Sequence, residues 1–528
     1  MNINGLLEIG ARGYPENYAV IHQERRVKYR ELYGLARQIG SYLEGLGLEK
    51  GSRIAILFEN SVEYVAIFFG IFEAGYVAVP IDTSLKPEKM GYIIEDCGAE
   101  LLFIQSKFVR HFDKIVGESS PLKFVVSNKK ININRQGIKI DGLDGILTDN
   151  ADVSSKFPGS GTLPEKIPTL NEMYAMTLES SKGLAAIFYT SGSTGTPKGV
   201  MLSHLNLVSN TIATVDYLKL TSDDRIMVIL PFYYIYGNSL LLTHVLVGGT
   251  LVIDNRFLYP EVILDSMENE KATGFSGVPS NFIILLNNST FPTRKLEHLR
   301  YFTQAGGAMA PEIIKKLMNA FSNKEIYIMY GQTEAAPRIS WLPPGRLREK
   351  VGSIGIPVPK IEIKIIDENG RECPSGESGE LATRGDNVML GYWNQPEETS
   401  QVIRDGWLFT GDLARKDDEG YIYITGRKKE IIKTGGNRVS TKEIEECLLE
   451  NESIMEAAVF GIPDELLGEA VKAVIVLKDG HRAAVKDIQT YCKARLADHK
   501  VPKVVEFMDA LPKYQSGKVN KMLLKNSV

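Results

Sequence analysis

Apolar residues along the chain change period repeatedly. Arg30–Gly47 carries them at helical spacing and stops at a glycine. SRIAILFEN then reads as a short buried strand, SVEYVAIFFGIFEAG as a buried helix, and YVAVPID as the next strand. KPEKMGYIIEDCG followed by AELLFIQS repeats the theme. Strands alternating with helices predict βαβ units on a parallel sheet, an α/β fold. Ser127–Ser180 is polar and weakly periodic, which predicts an irregular, inserted connection. Short β-like runs between Ile361 and Tyr423 (IEIKIID, GELATRG, GYIYITG) predict a smaller β-rich subdomain. The rest of the chain mixes α and β again. Ile226–Ile253 holds no Asp, Glu, Lys or Arg, yet Pro231, Gly237, Asn238, Gly248 and Gly249 interrupt it. Such breakers predict buried core rather than a membrane-spanning helix.

Composition narrows the class. The 528 residues are 44% hydrophobic and 24% charged, as in globular proteins. The 61 basic and 65 acidic residues leave a net charge of −4, so no global field draws in nucleic acid. Cys97, Cys373, Cys447 and Cys492 form no CxxC pair, which argues against a disulfide framework or structural zinc and for a reducing cytoplasm. The N-terminus lacks the basic and apolar regions of a signal peptide.

The densest chemical signal is Thr190–Gly199, TSGSTGTPKG, after the apolar run AAIFY. Its three glycines and five hydroxyl residues offer small donors to a polyphosphate, and Lys198 offers charge. Pro197 and Gly199 break the Walker pattern, so this is a phosphate loop of another kind, and a helical pattern follows it. Tyr330-Gly331-Gln332-Thr333-Glu334 follows the apolar run IYIM, where α/β proteins place their sites. A carboxylate beside a triphosphate suits Mg²⁺. Asp412 ends GWLFTGD in a turn, and GRKKEIIK (426–433) carries four cations. PKYQSGKV (512–519) brings a lysine, Lys518, near the C-terminus.

Together these segments, in order from residue 29 to residue 521, resemble the adenylate-forming superfamily of acyl- and aryl-CoA synthetases, nonribosomal-peptide adenylation domains and luciferases. The resemblance implies a large N-terminal unit over 1–426 and a small mobile α+β domain over 427–528, with the hinge at Lys429. It implies that Thr190, Ser191, Gly192, Ser193, Thr194, Gly195, Lys198, Gly307, Tyr330, Gly331, Thr333, Asp412, Arg427 and Lys518 surround ATP. Glu334 would hold Mg²⁺, Asp412 and Arg427 the ribose, and Lys518, Glu334 and Thr190 would be catalytic. An ammonium at Lys518 would screen a carboxylate from the α-phosphate it attacks.

The resemblance also places an acid pocket at Tyr234, Tyr236, Gly277, Gly306 and Gly307, with Phe275, Ser276 and Val278 in its wall. Tyr234 stands where the family often has His. The segment PFYYIYGNS has no carboxylate to pair with an amino-acid ammonium, which disfavours amino-acid substrates. Lys433, Gly435 and Gly436 match the loop along the pantetheine channel, and Arg256 sits near a position that meets the CoA nucleotide. The chain ends soon after Lys518, which implies a free-standing enzyme, a monomer or homodimer. The expectation is an acid–thiol ligase that uses ATP, Mg²⁺ and CoA on a small carboxylic acid. Its alternatives are transfer to a separate carrier protein and a catalytically silent adenylate-binding protein.

Overall fold

The structure, a computed structural model, describes residues 1–117, 119–131, 135–147, 167–191, 196–513 and 519–526. Among them, two large sheets carry the N-terminal part. One runs Ile356–Pro357, Ser340–Leu342, Glu325–Tyr330, Tyr301–Gln304, Gly274–Gly277, Arg225–Val228, Thr250–Ile253, Tyr18–His22, Arg25–Lys28 in spatial order. Its central strands are parallel, as the βαβ reading requires. The other is parallel through Val77–Pro80, Arg53–Leu57, Leu101–Ile104, Phe124–Ser127 and Lys139–Gly142. The helices Ile3–Gly13, Tyr29–Gly45, Val62–Glu73, His204–Leu218 and Ile235–Val247 share one buried cluster with residues of both sheets. Val62–Glu73 is apolar nearly all round, as a helix buried on every side must be.

The charge-free stretch resolves into strand Arg225–Val228, helix Ile235–Val247 and strand Thr250–Ile253. Glycine at position 248 caps the helix in the left-handed region, at φ 75°. No helix among the described residues is long and apolar enough to cross a membrane. Two expectations need correction. The stretch 127–180 is less irregular than its polarity suggests: it contains strand Lys139–Gly142 and helix Leu170–Ser180, whose Thr169 cap bonds reciprocally with Glu172. The phosphate loop leads into a strand before the helix. Leu184–Ser191 pairs antiparallel with Pro197–Ser203, and helix His204–Leu218 begins only at the Ser203 cap. Five of the seven residues of PKGVMLS are buried in this strand.

A third sheet is antiparallel: Glu362–Ile366, Ser378–Arg384, Trp407–Lys416 and Ile403–Arg404, with Ile422–Arg427 on Trp407–Lys416. The short turn Lys428–Glu430 follows, and Ile432–Thr434 joins a fourth sheet with Asn437–Val439, Gly468–Leu477, Ile454–Asp464 and Val504–Phe507. That last sheet and helices Thr441–Leu449 and Val485–Lys493 bury their own apolar cluster.

Candidate active site

The hairpin Leu184–Ser191/Pro197–Ser203 sets Thr190 opposite Lys198 in register. Gly192, Ser193, Thr194 and Gly195, at its tip, lie outside the described residues, as does the Ser191 side chain. A short strand, Gly391–Tyr392, pairs with Pro197–Ser203, and the Trp393 amide donates to the Gly199 carbonyl at 2.7 Å. This places the Tyr392 ring 5.7 Å below the Lys198 ammonium. The same tyrosine's hydroxyl donates to Glu334 Oε1 at 2.9 Å. Tyr392 therefore bridges the lysine of the phosphate hairpin and the carboxylate expected to hold Mg²⁺. No motif in the sequence pointed to it. Burial, and then the Glu334 charge, push its phenol well up, so it stays a donor. Lys198 also pairs with Glu398.

Glu334 lies in the turn Thr333–Ala335, directly past strand Glu325–Tyr330. The Met389 amide donates to its carbonyl at 2.9 Å. Thr333 opens the same turn. No group of three or more His, Cys, Asp or Glu side chains converges among the described residues. The carboxylate oxygens of Glu334 are the donor type Mg²⁺ takes, commonly one or two carboxylates with substrate phosphates and water completing the shell. At Gly331 a Cβ would lie 1.7 Å from the Pro337 carbonyl oxygen, so only glycine allows the chain to fold back there.

Asp412 and Arg427 face each other across paired strands, and Arg427 Nε donates to Asp412 Oδ1 at 2.7 Å. The Tyr330 hydroxyl donates to Asp412 Oδ2 at 2.6 Å. The nearby Asp412 carboxylate raises the Arg427 guanidinium's pKa, and burial raises the Tyr330 phenol's. Asp412 is 5% exposed. Each of its oxygens keeps a second lone pair, enough to accept ribose hydroxyls. Tyr330, Asp412 and Arg427, far apart in sequence, thus form one cluster. Lys518 lies outside the described residues.

In the acid-pocket region, Tyr234 caps helix Ile235–Val247 and its ring lies 6.5 Å from that of Tyr236. Tyr236 is 1% exposed, and its hydroxyl meets the Thr303 carbonyl and hydroxyl at 3.0 and 2.8 Å. That phenol is engaged within the fold. Gly277 ends strand Gly274–Gly277, where a Cβ would press on Phe282 at 3.1 Å. Gly306 has φ +86°, and the Gly307 carbonyl accepts from Gln304 Nε2 at 2.8 Å. Gly306 is thus required by the turn itself. Phe275 departs from expectation: it packs edge-on against Phe282 and Phe302 in a second core.

The CoA residues are dispersed. Arg256 donates to both oxygens of the buried Asp254, at 2.9 and 2.7 Å, a structural occupation the sequence did not suggest. The Lys433 side chain is exposed, and Gly435 and Gly436 have φ +54° and +79°. Lys429 is exposed in the turn Lys428–Glu430.

The chain is similar to known proteins along nearly its whole length. A family model described as AMP-binding enzyme matches residues 7–393, and one for the AMP-binding enzyme C-terminal domain matches 443–518. A long-chain-fatty-acid–CoA ligase of Escherichia coli O6:H1 is 31% identical over 99% of this chain and 93% of its own. The crystal structure of the anthranilate CoA ligase AuaEII with anthranoyl-AMP superposes with a TM-score of 0.84 at 27% identity, covering 100% of this chain and 97% of that one. The o-succinylbenzoate CoA synthetase of Bacillus subtilis with ATP and magnesium ion gives 0.79 at 28% identity, covering 99% and 98%.

Proposed function

We propose the following reaction on the premise that the chain belongs to the AMP-binding enzyme family. It is an AMP-forming acid–thiol ligase of α/β fold that uses ATP, Mg²⁺ and CoA. A carboxylate oxygen of the acid attacks the α-phosphorus of ATP, and the bond to the β-phosphate breaks, releasing pyrophosphate. The thiol sulfur of CoA then attacks the acyl carbon, gives up its proton, and AMP departs. The mixed anhydride is the activated acyl donor, which is why the α-phosphate is the point of attack.

The observation that carries the site assignment is the Tyr392 bridge between Lys198 and Glu334. It draws a phosphate-binding cation and a metal-binding carboxylate onto one small region. Lys198 neutralises the phosphates, and Glu334 is the protein ligand for Mg²⁺, with Tyr392 orienting it. Mg²⁺, when bound, supplies charge neutralisation at the phosphates. Asp412 accepts the ribose hydroxyls beside Arg427, and Tyr330 lies against the base. Thr190 and Thr333 flank the phosphates.

The unit boundary lies at the turn Lys428–Glu430, because the strands on either side of it belong to different sheets. Arg427 pairs back to Asp412 and so stays with the larger unit. Lys429 is the pivot between two orientations of the C-terminal domain, and Lys433, Gly435 and Gly436 line the thiol's approach in the second. The four cysteines are free, consistent with a reducing, cytoplasmic setting.

Lys518→Ala tests the assignment. It abolishes acid-dependent pyrophosphate release, by about a thousandfold for a lost transition-state cation. It leaves conversion of supplied acyl-adenylate to thioester nearly intact. Equal loss of both half-reactions contradicts the role of Lys518. Turnover with a holo carrier protein and none with CoA would reassign the thiol.

A further inference from the structure

Arg338 follows the Glu334 turn and is 2% exposed. Two asparagines clamp its backbone. Its amide donates to Asn210 Oδ1 at 3.1 Å, and its carbonyl accepts from Asn210 Nδ2 at 2.9 Å and Asn387 Nδ2 at 3.0 Å. The side chain is held far less completely. The guanidinium carbon lies 4.1 Å from the centre of the Tyr236 ring. Nε is buried with no hydrogen-bond partner, and among the described residues the guanidinium makes no ion pair. Two further polar atoms on neighbouring side chains are also buried without partners: Thr214 Oγ1, one turn along the helix from Asn210, and Asn387 Oδ1. Burial raises the phenols of Tyr217 and Tyr236, and the Arg338 charge, which also meets the Tyr217 hydroxyl, opposes that shift at both.

An arginine does not shed its proton to escape burial. A buried cation facing only neutral groups is costly, and proteins pair such charges. Arg338 also stands at the chemically relevant edge of the sheet. Tyr236 beneath it touches Thr303, which bonds Ser276 at 2.6 Å, and the strands carrying these residues end at Gly277 and Gln304, just before the glycine turn 306–307. Strand ends of this kind are where α/β sheets receive ligands.

Resting on the reading of this region as the acid site, we propose that Arg338 is the counter-charge for a second anionic group on the substrate. The acid activated here is then a dicarboxylic acid, one carboxylate reacting with ATP while the other pairs with the Arg338 guanidinium over Tyr236. The tyrosine face and the neutral hydroxyls supply no competing anion, so the guanidinium stays available until substrate arrives.

The test compares straight-chain dicarboxylic acids with monocarboxylic acids of matched length, from short to long, in the pyrophosphate-release assay. Wild type is expected to favour the dicarboxylic member by at least about tenfold in kcat/KM at its best length, since a site built for a polar group rejects an analogue lacking it. Arg338→Met reverses the preference, and Arg338→Lys restores part of it. Arg338→Met keeps or raises the melting temperature, because it removes a buried unpaired charge. A wild-type preference for monocarboxylic acids at every length overturns the proposal, as does an unchanged ratio in folded Arg338→Met. Either result leaves the ligase reading intact. Absence of pyrophosphate release with every acid overturns the ligase reading instead. Calorimetry then decides the proposal separately: dicarboxylates must bind wild type and not Arg338→Met.

Discussion

Tyr392 joins Lys198 to Glu334 and sits in no recognisable motif. Its partners lie far along the chain, at Lys198 and Glu334, so only the pairing of Gly391–Tyr392 with Pro197–Ser203 brings them together. Short-range patterns identify a residue by its neighbours in sequence, which is why Lys198, Glu334 and Asp412 stand out as candidates while Tyr392 and Arg338 do not. Arg256 illustrates the reverse. Its segment shows no partner by pattern, yet Asp254, two residues earlier, accepts from its Nε and one Nη while the side chain stays 55% exposed. Tyr392→Phe removes the hydroxyl that orients Glu334 and keeps the ring under Lys198. A hydrogen bond to a charged group is worth about 1.5–3 kcal/mol, so the Mg²⁺ concentration for half-maximal pyrophosphate release should rise about ten- to a hundredfold. The acid KM should change little. An unaltered Mg²⁺ titration contradicts the bridging role.

Elements were read well where their period was long and unbroken. The buried helices and parallel strands of the first hundred residues fall where their apolar runs predict. The hairpin after the phosphate loop was misread because seven residues of PKGVMLS cannot distinguish a strand from the first turns of a helix. Helix Ile235–Val247 carries a different consequence of burial. Its His244 is 1% exposed, with Nδ1 3.0 Å from the Leu240 carbonyl and Nε2 3.2 Å from the Tyr301 hydroxyl. Burial pushes its pKa down from 6.5 to about 4, Asp224 opposing and Arg300 adding to the shift. The unfolded chain therefore binds a proton below pH 6.5 that the native protein refuses until about pH 4. Stability from this residue is complete above the upper value and declines as pH falls towards the lower one. One proton contributes a slope of at most about 1.4 kcal/mol per pH unit. His244→Gln should flatten urea-unfolding stability against pH by up to that amount in this window, whatever its effect at neutral pH. A slope identical to wild type contradicts the assignment.

The molecule as a whole divides its charge unevenly. The net value of −4 conceals local cations at Lys198, along Arg427–Lys433 and at Lys518, and the last two lie around or beyond the turn Lys428–Glu430. Behind that turn, Lys521 reaches Glu430 at 2.8 Å and Glu445 at 2.9 Å. The tail that carries Lys518 is thereby tied to the segment about which the C-terminal domain is proposed to swing. In the proposed swing about Lys429, Lys518 and the Lys433–Gly436 loop exchange places at the reacting atoms. The proposed pivot requires φ and ψ to change at one exposed residue. Lys429→Pro fixes φ near −65° at the turn. The variant should hold the domain near one orientation. One half-reaction then falls by about tenfold or more relative to the other, as measured by pyrophosphate release against thioester formation from supplied acyl-adenylate. If both fall equally, or neither changes, the pivot lies elsewhere, and the strand change at this turn marks only a boundary between sheets.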